Sequence, residues 1–509
     1  MNRSLSRHGR ASRFARLTAL VCMLAPAFAA EARTYGSADT DWKALTLRDV
    51  DAMHALLRDN TPITFDTENP AYARWLEEGH AVAQDRAAKV IDEAGYLYTL
   101  NAYANGFHDP HFTVQLDLPS ATRWPGFIAV ERGDAAVVVQ RDAQDPSAPA
   151  LGARIESCDG QPLSALVQSR VLPFSVAAGP PDRWALHNLF LDQQNPFAQL
   201  PASCSVRTGE QSAELPLQWR GISGVQDTFT EDLTETIFGR AAAWGLSEPS
   251  PGVFWIGVPT FLPTEEATPQ MRALIAAIKA RGDEMRHARA IIIDTRHNSG
   301  GYAFWARQLS EAIFTPKVLK NASRATPARR VAYELRVSPG NLKYKREKLQ
   351  RIGSDLSAAQ RRDASSEADM IQRAIARKTP MLREGGKWAS VSGGMTAQRP
   401  RGRKSPFPAQ VYFLSNGSCL SACLLFADQA LMVPGVRLIG SATGGDTPYI
   451  DIREEKLPSG LATLSLPQTV MRGRGRGAME SYAADIPYIG SWDDASIRAW
   501  TLSLIQSGS

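Results

Sequence analysis

Residues 290–301 read AIIIDTRHNSGG, a run of apolar, mostly β-branched side chains leading to two adjacent glycines. Unbroken apolar character over 290–294 suits a strand covered on both faces, as in a parallel sheet. Gly300 and Gly301 allow a tight turn and let backbone N–H groups approach a ligand closely. A second segment of the same plan follows at 411–427, VYFLSNGSCLSACLLFA. It has a strand at 411–414, a polar turn at 415–418, and then an apolar run with helix character. A serine at such a strand-to-helix turn presents its hydroxyl at the carboxyl edge of the sheet, beside a helix N-terminus. Together the two segments predict a nucleophile facing an oxyanion site.

The chain around them alternates. Strand patterns at 253–258, 290–294, 411–414 and 436–439 are separated by helical stretches such as 269–281 and 303–314. That order implies right-handed crossovers and a largely parallel sheet. The α/β part is therefore expected over 250–316 and 405–505. Upstream, 40–112 reads as a helical segment, with Val50, Met53, Leu56 and Leu57 at helical spacing and a stop at Asn105-Gly106. Residues 113–222 have another texture, with short β-like runs between Gly, Pro and Asp turns. The remaining segment, 317–404, is a basic insertion rich in Arg, Lys, Ala and Ser, expected to be a solvated face with a helical middle. Residues 472–477, alternating Arg and Gly, read as a mobile basic turn, because they lack the strand-and-helix context of a phosphate loop.

At the N-terminus Arg3, Arg7, Arg10, Arg13 and Arg16 precede an apolar run at 17–28, with small residues at Ala27, Ala29 and Ala30. This is the pattern of a signal peptide, placed at 1–31, and it predicts a periplasmic or secreted protein. No later run approaches the ~20 apolar residues of a membrane span. The net charge of +5 over 509 residues is too small to imply a nucleic-acid partner. Cys158, Cys204, Cys419 and Cys423 remain once the signal is removed, an even number that favours disulfides in an exported chain. Cys158 and Cys204 are expected to pair, since both lie in β-like runs of one segment. Cys419 can reach Cys423 if it sits in the turn before the helix. No His/Cys spacing resembles a zinc site, His108-x-x-His111 lacks the glutamate of a zincin motif, and no metal or cofactor is expected.

The paired elements resemble the core of the tail-specific (C-terminal-processing) serine protease family. There a strand–Asp–x–Arg–x–Asn–x–Gly-Gly element precedes a strand–Asn-Gly–small–Ser-Ala helix. Here the matching residues are Asp294, Arg296, Asn298, Gly300 and Gly301, then Asn416, Gly417, Ser421 and Ala422. The resemblance implies a crotonase/ClpP-like catalytic core, a Ser421 nucleophile, and oxyanion donors from Gly300 or Gly301 and from Ala422. It also implies peptide or protein substrates. Residues 152–163, with their Asp159-Gly160 turn, resemble part of a PDZ domain, which would make 113–222 a PDZ-like insert.

A serine hydroxyl needs a neighbouring base. Many members of the family use a lysine on a loop after the nucleophile helix, but the matching loop at 440–447 carries Asp446. The other, tricorn-like branch uses a histidine from an Asp-x-His element, and Asp109-Pro110-His111 is similar to it. Imidazole titrates near neutrality, as such a base should. His111 is thus the expected base, with His297 in the glycine loop and His108 as rivals. That branch supplies a glutamate as third member, loosely matched by Glu480. The alternative from another class is a catalytically inactive, protease-like binding protein. A generic esterase is less suited, since the chain has no Gly-x-Ser-x-Gly.

Overall fold

The computed structural model describes residues 40–116, 122–175, 185–222, 233–324, 331–356, 358–384 and 404–506, a mixed α/β fold. The four expected strands lie side by side. They form the middle of a six-stranded sheet in the order Gly245–Ser250, Val253–Gly257, Ala290–Asp294, Gln410–Ser415, Val436–Gly440, Ile486–Pro487. Every neighbouring pair is parallel except the first.

Side chains alternate between the sheet's faces because the strand period is two. Ile291, Ile293, Val411, Phe413 and Leu438 face the helices Thr268–His287, Ala303–Phe314 and Ala422–Leu431. Ala290, Ile292, Tyr412, Leu414 and Ile439 face Trp492 and the helix Asp494–Gln506. Each such large side chain is buried, worth about 1.5–3 kcal/mol by transfer. That double cover explains why 290–294 carries no polar residue before Asp294.

A second sheet supports the histidine. Thr113–Leu116, Ala462–Arg472, Ala332–Arg336 and Met381–Glu384 follow one another, and Tyr449–Lys456 also pairs with Ala462–Arg472. The three helices Trp42–Asn60, Pro70–Ala87 and Glu93–Asn105 cover it, packing Val50, Met53, Leu57 and Leu100 on Leu464, Leu466 and Val470.

The basic insertion departs from its expected solvated form. Its strand Ala332–Arg336 is built into this sheet, and its helices Pro339–Ile352 and Ala358–Ala376 follow. Leu335, Val337, Ile371 and Ala374 make a small core of their own. Two of its lysines are also engaged: Lys345 reaches Asp451 and Glu367, both at 2.5 Å, and Lys348 reaches Asp451 at 2.8 Å. A basic composition did not distinguish paired lysines from solvated ones. The Arg/Gly run at 398–403 lies outside the described residues, as does the whole of 1–31.

Residues 122–222 contain an antiparallel sheet: Phe127–Arg132, Ala135–Arg141, Arg154–Cys158, Ser203–Thr208 and Gln211–Pro216. Cys158 and Cys204 are direct cross-strand partners with Cα atoms 3.9 Å apart, and their sulfurs lie within bonding reach.

Candidate active site

Parallel pairing sets Asp294 beside Leu414, so both motif loops leave the sheet at the same edge. The loops are then tied together. Thr295 donates its N–H and its hydroxyl to Leu414 O, at 3.0 and 2.9 Å. Asn416 Oδ1 accepts from the Ser418 hydroxyl at 2.6 Å and from the His297 N–H at 3.3 Å, while its Nδ2 donates to Phe238 O at 2.8 Å.

Ser421 immediately precedes the helix Ala422–Leu431 and has φ 50° and ψ −118°. A side-chain-bearing residue held there costs of order 1–3 kcal/mol, which the surrounding structure must over-determine. The turn thrusts the serine out at the helix N-terminus, where the first N–H groups have no partner inside the helix. Cys419 lies in the turn and Cys423 in the helix, with Cα atoms 5.1 Å apart and sulfurs within bonding reach. The Gly444 N–H donates to Cys419 O at 3.1 Å, joining the 440–447 loop to the turn before Ser421.

Gly300 and Gly301 both have positive φ, 104° and 130°. A β-carbon on Gly300 would strike the turn of Ser421, and one on Gly301 would come within 2.2 Å of the Phe261 carbonyl carbon. The Gly300 N–H is used, donating to Asn298 Oδ1 at 3.0 Å. The sequence offered either glycine as donor.

His111 lies between the helix Glu93–Asn105 and the strand Thr113–Leu116, two residues before the strand, and its ring is buried. Its Nδ1 lies 3.1 Å from Asp109 Oδ1, an ion-pair distance whose N–H direction falls short of a full hydrogen bond. The same oxygen accepts the His111 backbone N–H at 2.9 Å, and Asp109 Oδ2 accepts the Thr447 hydroxyl. Burial pulls the imidazole pKa down, but the carboxylates of Asp109 and, further off, Asp446 outweigh it. The ring titrates above its ordinary value, with Arg474 opposing.

The rivals have different surroundings. His297 Nε2 donates to Gly239 O at 2.6 Å, and its ring meets Phe238 edge-on. His108 is exposed. Glu480 is also exposed, and its carboxylate accepts the Gly477 N–H at 2.5 Å.

Two groups beside the histidine escaped the sequence reading. Asp109 was visible two residues before His111, a spacing at which an aspartate bonds its own backbone, but its second role was not. Arg474 and Arg476, taken for a mobile turn, are buried, and each donates to Asp446 Oδ1 at 2.5 Å. Only the fold brings these charges to Asp446.

Residues 253–468 match peptidase family S41. Those residues match as an S41 peptidase domain. The chain is a serine-type peptidase. The crystal structure of mature CPAF is similar at TM-score 0.57 and 14% identity, over 88% of this chain and 93% of that one. Mature CPAF complexed with lactacystin is similar at TM-score 0.57 and 15% identity, over 92% and 100%. At such identities the likeness is one of fold. The tricorn protease, at TM-score 0.37 and 12% identity over 91% of this chain and 37% of that one, is too distant to argue from. No curated protein matches this chain significantly in sequence. Family and fold favour the peptidase over the inactive binding protein.

Proposed function

We propose that this peptidase is exported and cleaves peptide bonds with Ser421 as nucleophile and His111 as base. The backbone N–H groups of Gly301 and Ala422 are the oxyanion donors. The carrying observation is the positive φ of Ser421 at a helix N-terminus, with Gly300 packed against it. Asp109 stands at His111 Nδ1, leaving Nε2 for the serine. In this reading Ser421 Oγ attacks the scissile carbonyl as Nε2 takes its proton, and the carbonyl oxygen gains negative charge. The imidazolium returns the proton to the leaving amine, and water then hydrolyses the acyl-enzyme by the same route. Removing one oxyanion donor from known enzymes costs about 2.7–4 kcal/mol.

The orienting role goes to Asp109 in this proposal, and Glu480 becomes a turn-capping residue, since its carboxylate is spent on Gly477. Export is supported by the basic and apolar run at 1–31. The central sheet is taken as crotonase/ClpP-like. The antiparallel sheet of 122–222, with its short helix Leu163–Leu166, is taken as PDZ-like, a type of sheet that receives an extended chain end by strand addition. A fluorophosphonate probe with peptide mapping tests the site. Label on Ser421, lost in Ser421→Ala, is the expected result, and label on another serine overturns it.

A further inference from the structure

Asp446 occupies the loop position where the lysine-using relatives carry their base, and arginines surround it. Besides its one bond to Asp446 Oδ1, Arg474 donates to the carbonyls of Asp446, Thr447, Arg476 and Gly477, all between 2.7 and 2.9 Å. Arg476 Nε donates to Asp428 Oδ1 at 3.2 Å, and the same oxygen accepts the Tyr482 hydroxyl at 2.6 Å. Asp428 lies on the helix that Ser421 opens. Thr447, next to Asp446, donates to Asp109. Four buried charges thus bridge the nucleophile's helix and the turn that holds His111. Such clusters are seldom more stable than a well-packed apolar replacement. Stability alone does not account for this one.

We propose that Asp446, clamped by Arg474 and Arg476, is a positioning residue for hydrolysis that sets the charge around His111 and ties its turn to the Ser421 helix. The proposal rests on His111 being the base. The charges that act on the ring are Asp109 on its own turn, 3.1 Å from Nδ1, Asp446 on the 440–447 loop and Arg474 beyond the strand Ala462–Arg472. Tyr72, on the helix Pro70–Ala87, lies beside Asp109 and Thr447, with burial pushing its hydroxyl pKa up so that it stays neutral. The signs follow. A carboxylate favours the imidazolium, so removing Asp446 lowers the pH at which the base is freed. A guanidinium disfavours it, so removing Arg474 raises that pH.

The test compares Asp446→Asn, Arg474→Met and Arg474→Lys by the pH profile of kcat/KM. Histidine NMR titrations in the Ser421→Ala background follow the ring directly. The rising limb is expected to move to lower pH in Asp446→Asn, to higher pH in Arg474→Met, and to stay near wild type in Arg474→Lys, with the His111 resonance moving in parallel. If Asp446→Asn fails to fold, the charge-balanced Asp446→Asn with Arg476→Met carries the same expectation. Limb and resonance that stay put, or that move the same way in Asp446→Asn and Arg474→Met, overturn the proposal. A resonance that moves as expected while the limb does not overturns His111 as base instead.

Discussion

Gly300 lies hard against Ser421: a β-carbon built on Gly300 would stand 2.8 Å from Ser421 Cβ, 2.7 Å from Leu420 O and 2.9 Å from Ala422 N. Two of those neighbours are backbone, so the strain cannot be relieved by a rotamer change. Gly300→Ala should therefore shift the nucleophile turn itself. A displacement of about 1 Å at a reacting group costs roughly 100-fold in rate, and a fall in kcat of that order is expected with the far-UV circular dichroism retained. Near-wild-type kcat would show that the glycine is not what seats the serine.

Ser421→Ala and His111→Ala should each abolish peptide cleavage, and the double variant should be little worse than either, because members of one catalytic unit are non-additive. Since Asp109 and Asp446 hold the imidazole above its ordinary value, kcat/KM should rise through a pH above the ~6.5 of a free histidine. Full activity in His111→Ala, with loss in His297→Ala, would move the base to the glycine loop.

Asp109 and Glu480 can be separated directly. Asp109→Asn removes the charge beside Nδ1, so kcat should fall by about 10²-fold or more, the scale of general-base contributions. The limb should also move to lower pH. Glu480→Gln removes only the cap on Gly477, and kcat should stay within a small factor of wild type. The reverse ranking, read from steady-state kinetics, would return Glu480 to the site.

The parts legible in the sequence are those governed by local rules. Strand 290–294 could be read because both its faces are buried, and the turn-to-helix position of Ser421 because a polar turn and an apolar run are contiguous. Asp109 was half visible for the same reason. The residues that surround His111 come from far along the chain: Thr447 is 338 positions from Asp109. Arg474 and Arg476 looked solvated because alternating Arg and Gly is a common surface pattern. Pairing with Asp428 and Asp446 makes their burial tolerable, and no local spacing encodes that pairing.

The insertion should be acid-sensitive. Burial pushes the Asp451 carboxyl up, but the Lys345 and Lys348 ammonium groups pull it well below the ordinary carboxylate range. A depressed folded pKa contributes stability that is present above the unfolded value of ~3.9 and lost as pH falls below it. Stability measured by urea should thus begin to drop at about pH 4 and keep falling as the pH approaches the depressed folded-state value. Asp451→Asn should cost about 3–5 kcal/mol at neutral pH, as expected when one partner of a buried pair is removed, and should flatten the acid dependence. An equal acid loss in variant and wild type would exclude Asp451 as its source.

The two cysteine pairs should have separable effects. Cys158 and Cys204 are 46 residues apart, and a bond between them would restrict the unfolded chain, worth roughly 4 kcal/mol at most by the chain-entropy model. Cys419 and Cys423 are 4 apart, too short a loop to constrain the unfolded chain much, but they bracket Ser421 and its positive φ. Bonding there would act on the geometry of the nucleophile. Replacing Cys158 and Cys204 together by Ala should lower the urea midpoint and leave kcat nearly unchanged. Replacing Cys419 and Cys423 together by Ala should lower kcat and spare the midpoint. Thiol counting on the native, unreduced chain comes first, with no free thiol expected at any of the four positions. Two free thiols at 419 and 423 in a fully active enzyme would show that Ser421 holds its conformation without them.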